Sequence, residues 1–158
     1  MTIENIKQLM DGLDIAALLP DIMEIMNGIA LLTQIALFLA PLILLGLGLY
    51  YFLLSPKEAN FTTGYRCYYG MGSEEAWRFT QRIAGILWAA LGLVLTILML
   101  IISGGYGSKD IAQVISSGLK CLIWEIVLIG RSVLAINVLT MLRYDRKGLR
   151  RSSNKKDL

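Results

Sequence analysis

Residues 25–56 read IMNGIALLTQIALFLAPLILLGLGLYYFLLSP, a stretch of 32 residues without a charged side chain. A second charge-free stretch, IAGILWAALGLVLTILMLIISGGYGS, covers residues 83–108. A helix needs about 20 predominantly apolar residues to cross the hydrocarbon core of a bilayer. Both stretches are long enough, and we predict membrane spans at about 29–53 and 83–102.

A third span is predicted at about 118–142, although charged side chains interrupt this segment. The twelve Leu, Ile and Val residues between Cys121 and Leu142 favour insertion by about 5 kcal/mol. Glu125 and Arg131 oppose it by about 6 kcal/mol together. Because these contributions nearly cancel, we expect insertion to depend on polar partners from neighbouring helices. A helix lying in the interface is the alternative, but apolar side chains surround this segment on all faces.

The composition of the whole chain fits an all-α, polytopic membrane protein. Of its 158 residues, 56% are hydrophobic and 17% are charged, against roughly 45–50% and about 25% in soluble domains. The chain contains no histidine, which removes the commonest general base and the commonest zinc ligand. We therefore expect no catalysis, no metal site and no other cofactor.

Residues 1–26 are predicted to form an amphipathic helix that precedes the three-span domain, residues 27–142. Apolar side chains recur at steps of three and four along the first 17 residues, as in a helix with one apolar face. The pattern ends before Pro20, because the residue before a proline disfavours helical geometry. We expect this helix on the membrane surface or against the bundle, with a soluble cap helix as the alternative.

Basic residues are unequally distributed among the segments that flank the spans. Seven lie in the tail 143–158 and four in the loop 54–82, whereas the N-terminal segment and the loop 103–117 hold one each. Cytoplasmic flanks carry the excess of Lys and Arg, so we predict a cytoplasmic tail, a cytoplasmic loop 54–82 and an outer N-terminus. The tail is expected to be a solvated anchor at an anionic leaflet. Nucleic acid binding is not expected, because aromatic residues are not interleaved with the basic ones.

The loop 54–82 carries the most distinctive motif of the chain. Its candidate site residues are Asn60, Gly64, Tyr65, Arg66, Trp77 and Gln81. An Asn side chain can close a turn, a glycine allows backbone geometry that a Cβ resists, and an Arg presents a planar fork to carboxylates or phosphates. Ser73 is a suitable N-cap for the next helix. Two interpretations remain open: these side chains lock the loop onto the helix ends, or they bind a lipid headgroup, a peptide or a protein partner.

This motif resembles the signature of the SdpI family, which is named for a bacterial immunity protein of the membrane that protects against a secreted toxic peptide. Members typically show an Asn, a Gly-Tyr/Phe-Arg-Thr, a Trp on the next helix and an Asn or Gln four residues later. This sequence has Cys67 in place of the Thr and keeps a glycine, Gly85, early in the following span. The resemblance covers about residues 60–102. It implies a bacterial plasma membrane protein that acts by binding, either as immunity against a membrane-active peptide or by sequestering a small regulator protein at its loop.

Four polar side chains are expected inside the spans: Gln34, Glu125, Arg131 and Asn137. Ionisable residues in spans commonly face the bundle interior and mark function. Glu125 and Arg131 are six residues apart, about 120° around a helix, so each needs a partner from elsewhere. We expect Thr33, Gln34 and Thr96 at the level of Glu125. We expect Arg131 to donate to the Leu37 carbonyl, which Pro41 deprives of its helical donor. The alternatives are a small oligomeric transporter with a polar pathway at Glu125 and Arg131, or a structural accessory subunit.

Overall fold

The computed structural model describes the backbone of residues 15–60 and 62–151, with side chains from Ile22 onward. Within this part the chain is all-helical: α1 (Ile15–Leu53), α2 (Glu74–Gly104), a 3-10 helix (Tyr106–Ser108) and α3 (Ile111–Arg143). All three long helices have the length and hydropathy to cross a membrane. The predicted all-α fold with three spans is therefore confirmed.

Helix α1 continues through both of its prolines. Its described backbone is helical from Ile15, past Pro20 and Pro41, to Leu53, so the expected break before Pro20 is wrong. Neighbouring helices allow a proline inside a membrane helix, because they satisfy or shield the backbone groups that it frees; here Pro41 is buried in the bundle. The remainder of the predicted N-terminal amphipathic helix, residues 1–14, lies outside the described residues.

Helices α1 and α2 are antiparallel and pack with their backbones in contact at glycines. A Cβ built at Gly85 would lie 2.6 Å from the backbone nitrogen of Phe52, and one at Gly92 would lie 2.5 Å from the backbone nitrogen of Leu45. Gly48 similarly faces the backbone of Ala89. Small residues allow such close approach between membrane helices, and any side chain at these positions would force α1 and α2 apart.

Helix α3 is held against α2 by pairs of polar side chains. The Trp88 indole donates to the Ser132 hydroxyl over 3.0 Å, and the hydroxyls of Thr80 and Thr140 lie 3.3 Å apart. This offset places Glu125 at the level of Leu95. Hydrogen bonds between helices compensate polar groups that would otherwise lie unpaired in hydrocarbon.

Both later helices begin ahead of the predicted spans. Ser73 caps α2 as expected: its hydroxyl accepts from the Ala76 amide at 3.2 Å, and two glutamates occupy the first turn, where the helix dipole favours acids. The 31 residues of α2 extend about 46 Å, longer than a hydrocarbon core of about 30 Å. Helix α3 begins at Ile111, seven residues before its predicted start.

The beginning of the basic tail folds onto the start of α2. The Tyr144 hydroxyl donates to Glu75 at 3.1 Å, and the Ser73 hydroxyl donates to the Gly148 carbonyl at 2.7 Å. Asp145 closes the turn by accepting from the amides of Lys147 and Leu149. The described start of the tail, 144–151, is therefore docked on α2, while its Lys and Arg side chains are exposed.

Candidate functional site

The loop motif begins with a turn that Asn60 closes. The Asn60 side-chain oxygen accepts hydrogen bonds from the amides of Thr62 and Thr63, at 3.0 and 2.8 Å. An Asn side chain that binds backbone amides two and three residues on mimics a backbone turn. Asn60 thus shapes the loop locally.

Gly64 and Trp77 fit against each other where the loop meets α2. Gly64 has a φ of +105°, which favours glycine, and a Cβ there would lie 2.7 Å from the Trp77 ring. Trp77 is fully buried, and its indole donates to the Pro56 carbonyl at 2.8 Å. Trp77 therefore ties the segment after α1 to the first turn of α2, and only a residue without a side chain fits above it.

Gln81 holds the backbone of Tyr65 on both sides. Its side-chain oxygen accepts from the Tyr65 amide at 2.8 Å, and its side-chain nitrogen donates to the Tyr65 carbonyl at 2.7 Å. Gln81 is buried. An unpaired buried backbone group costs about as much as a lost hydrogen bond, so this one side chain satisfies two groups that the loop alone leaves open.

The Tyr65 side chain extends from the loop to α3. Its hydroxyl donates to the Val133 carbonyl and the Asn137 side-chain oxygen, each at 3.3 Å, and its ring meets Trp88 edge-on with centroids 5.4 Å apart. Burial raises the pKa of Tyr65 above its usual value, and the Cys67 thiol raises it further. The structure thus brings Asn137, predicted as an isolated intramembrane residue, into the loop motif.

The residues that make these loop contacts are those of the SdpI-like motif, and the comparison with known families agrees with that resemblance. The model of the SdpI/YfhL protein family matches residues 57–141. The chain belongs to the SdpI/YfhL family. The match includes the loop, α2 and nearly all of α3, a longer region than the motif alone indicated. No curated protein and no solved structure matches the chain significantly.

In the SdpI/YfhL loop motif, the side chain of Arg66 points away from the contacts that hold the loop on α2 and α3. It is exposed and makes no hydrogen bond among the described residues. Beside it lies an open groove of about 330 Å³ between the loop and α3. The other residues that line this groove include Cys67, Tyr68, Tyr69, Asn137 and Met141. A guanidinium at such an edge can bind carboxylates, phosphates or backbone carbonyls.

Glu125 and Arg131 do not meet. Glu125 is 1% exposed, and both of its carboxyl oxygens lack a hydrogen-bond partner among the described residues. Arg131 lies on the exposed face of α3 and makes no hydrogen bond in the described part of the chain. The structure separates the two members of the expected polar pathway.

The predicted positions of Leu37 and Gln34 along the bundle, relative to Arg131 and Glu125, were wrong. Leu37 lies beside Gly118, near the start of α3, whereas Arg131 lies near the level of Trp88, because its neighbour Ser132 bonds to Trp88. Arg131 is therefore far along the bundle from Leu37. Thr33 and Gln34 lie near Gly118, about two turns from the level of Glu125, whereas Thr96 follows Leu95 and lies at that level as expected. Gln34 is half-buried beside an apolar groove on α1.

Several polar contacts between elements escaped the sequence analysis, namely Thr80 with Thr140, Trp88 with Ser132 and Tyr144 with Glu75. A Thr or Ser inside an apolar helix binds its own backbone as readily as a neighbour, so the sequence alone does not reveal these pairs.

The sequence analysis also did not predict a group of basic side chains at the junction of α1 and α2. The spacing of Arg78 and Arg82, four residues apart, was the available signal, since such residues share a helix face.

Proposed function

We propose that this SdpI/YfhL-family protein acts by binding, as immunity against a membrane-active peptide toxin or by sequestering a protein partner at the loop 57–73. One observation carries the proposal: the motif residues lock the loop onto the bundle and leave Arg66 exposed beside an open groove. A rigid loop presents a contact residue at low entropic cost. The family membership supports the immunity-type function.

The proposal includes the setting of this binding. The protein is a bacterial plasma membrane protein with a cytoplasmic loop and tail, an outer N-terminus and contacts to the lipid bilayer; it binds no nucleic acid, catalyses no reaction and needs no cofactor. Its support is the excess of basic residues in the loop 54–82 and the tail, which is typical of cytoplasmic flanks. Assembly into a homo-oligomer belongs to the same proposal.

A protection assay tests the binding function. A sensitive bacterium that expresses the protein is challenged with membrane-active peptides, starting with the toxin encoded nearest its gene. We expect the wild type to protect and Arg66→Ala to protect at least about tenfold less, because a charge-assisted contact contributes about 1.5–3 kcal/mol. Arg150→Ala, another exposed arginine at this end of the bundle, is the matched control. Full protection by Arg66→Ala at equal protein level would remove Arg66 from the proposal.

The orientation has its own test. A Lys147→Cys change in a background with Ser at positions 67 and 121 places one exposed thiol in the tail. We expect a membrane-impermeant maleimide to label it in inside-out vesicles and not in intact cells. Labelling in intact cells would contradict a cytoplasmic tail.

The buried, unpartnered Glu125 favours a second candidate function, transport. Ionisable residues inside spans often lie on proton or ion pathways. Because Arg131 lies on the exposed face, the candidate pathway rests on Glu125 alone. Ion flux into proteoliposomes that Glu125→Gln abolishes, with protection unaffected, would favour transport over immunity.

A further inference from the structure

A second open groove, with none of the lining residues of the Arg66 groove, lies between the end of α1 and the first turns of α2. Its volume is about 470 Å³. We call it the basic groove, because three cationic side chains line it: Lys57, Arg78 and Arg82. Two of them, Arg78 and Arg82, are one helical turn apart and so share a face of α2.

Most of this positive charge is not compensated. Arg78 forms an ion pair with Glu74. Arg82 and Lys57 are exposed and form no ion pair or hydrogen bond among the described residues. Glu58 follows Lys57 in the chain but does not line the groove. An anion that enters the groove therefore meets two cations that hold no other described partner.

The other wall of the basic groove is apolar. Tyr51, Phe52 and Leu53 line it, and the side chains of Phe52 and Leu53 are 46% and 67% exposed. These residues belong to the last turn of α1, whose apolar surface continues along the membrane-facing side of the helix. The groove thus joins a cationic end to an apolar surface, the arrangement that matches an amphipathic ligand.

Aromatic residues beside the groove indicate the headgroup region of a bilayer. Tyr50, Tyr51 and Trp88 form a cluster at this end of the bundle, with ring centroids 5.8 and 5.5 Å apart. Tyr and Trp collect at the boundary between hydrocarbon and water. Arg82 precedes Trp88 by six residues, about 9 Å along α2, so we infer that its guanidinium lies on the water side of this aromatic layer.

We propose that the basic groove binds the phosphate of an anionic phospholipid. Arg82 and Lys57 bind the phosphate oxygens, since a guanidinium can donate two parallel hydrogen bonds to a phosphate, and an acyl chain follows Phe52 and Leu53 along α1. The apolar wall favours a lipid over free phosphate, which would leave that wall unused. It also favours a lipid over an acidic peptide, because the wall continues into the membrane-facing surface. The proposed phosphate ligands, Lys57 and Arg82, differ from Arg66, the contact residue of the proposed function.

Native mass spectrometry of the detergent-purified protein tests the site, with phosphatidylglycerol and phosphatidylcholine as probes. We expect the wild type to retain one phosphatidylglycerol in preference to phosphatidylcholine. The double variant Lys57→Gln/Arg82→Gln should retain phosphatidylglycerol at least about tenfold less, given the contribution of each basic residue to binding anionic lipid. The matched control is Lys109→Gln/Lys120→Gln. It removes two exposed lysines from a groove at the start of α3, at the opposite end of the bundle.

The same samples are used to measure folding and competition by other ligands. Because Lys57 and Arg82 are exposed, the double variant should melt with the wild type in lipid-free detergent, so a loss of lipid reports on the site. Equal retention by the double variant, or an equal loss in the control, would overturn the proposal. Displacement of the lipid by inorganic phosphate, but not by chloride at the same ionic strength, would assign the groove to free phosphate instead. Tighter binding of an acidic peptide than of phosphatidylglycerol would overturn the lipid in favour of a protein partner.

Discussion

The side-chain amide of Gln81 hydrogen-bonds both backbone groups of Tyr65, at 2.8 and 2.7 Å. A strand partner would normally supply such a pair of bonds, and here one side chain of α2 supplies both. The amide of Gln81 therefore fixes the position and the direction of the loop at the residue before Arg66. Three of the predictions below test this lock.

Replacing Gln81 should unfasten the loop. Gln81→Met leaves the amide and the carbonyl of Tyr65 without partners, and we expect a loss of about 2–6 kcal/mol of stability, because each of these two unsatisfied buried groups costs about 1–3 kcal/mol. Thermal melting in detergent measures it. Gln113→Met, an exposed position on α3, is the control and should melt within about 0.5 kcal/mol of the wild type. A Gln81→Met variant as stable as this control would contradict the clamp.

Gly64→Ala should destabilise the protein by at least about 2 kcal/mol. The φ of +105° strains any other residue, and the new methyl would displace the Trp77 ring. Gly46→Ala is the matched change, because a Cβ there meets nothing within 4 Å; it should be neutral or stabilise α1 by up to about 1 kcal/mol. Tryptophan fluorescence during unfolding follows both variants, and the order of their stabilities decides the outcome.

The hydroxyl of Tyr65 should stabilise the protein only while it carries its proton. Its pKa is raised in the folded state, chiefly by burial, so its contribution is complete below the ordinary tyrosine pKa of about 10 and is lost as the pH rises above that value. We expect Tyr65→Phe to melt below the wild type at pH 7. The difference should shrink as the pH rises beyond about 10, whereas a constant difference would show that the hydroxyl does not act through its proton.

Glu125→Gln should preserve stability within about 1 kcal/mol. An unpaired carboxyl in apolar surroundings is most stable in its uncharged form, and Gln keeps both its size and its neutrality. Breaking a buried ion pair instead costs about 3–5 kcal/mol. Thermal melting of Glu125→Gln and Arg131→Gln separates these cases. We expect neither variant to lose much stability. A large loss of stability in both would indicate an ion pair between Glu125 and Arg131.

Asp145→Ala should loosen the turn that docks the tail. The Asp145 carboxylate accepts from the amides of Lys147 and Leu149, at 2.9 and 2.8 Å. We expect faster hydrogen exchange at these two amides with little change in global melting, because the turn lies at the edge of the fold. Asp110→Ala is the control, since Asp110 precedes α3 without a side-chain capping bond. Unchanged exchange in Asp145→Ala would contradict its role in the turn.

The sequence predicted the helices well because their signals are local. Charge-free runs define the spans, and Ser73 followed by two acids marks the start of α2. The sequence predicts which residues form the loop motif, but it does not decide whether they hold the loop on the helices or form a binding surface. The Gln81–Tyr65 clamp joins residues 16 positions apart, and nothing in either residue type requires that pairing.

The register of α1 against α3 could not be predicted. Depths counted from a predicted start at residue 118 misplace α3, which begins at Ile111. That error moved the expected partner of Arg131 to Leu37, beside Gly118. Register depends on which small residues meet and on pairs such as Trp88 with Ser132, and these are properties of two helices together.

The glycine contacts between α1 and α2 have a consequence for motion. With backbones touching at Gly48, Gly85 and Gly92, these two helices can neither slide nor twist past each other without a steric collision, and they behave as one rigid body. Helix α3 meets that body mainly through side chains and a few hydroxyl hydrogen bonds, which can exchange partners at low cost. We therefore expect relative motion between the described helices to occur at α3, which holds Glu125 on its inner face and Asn137 beside the loop.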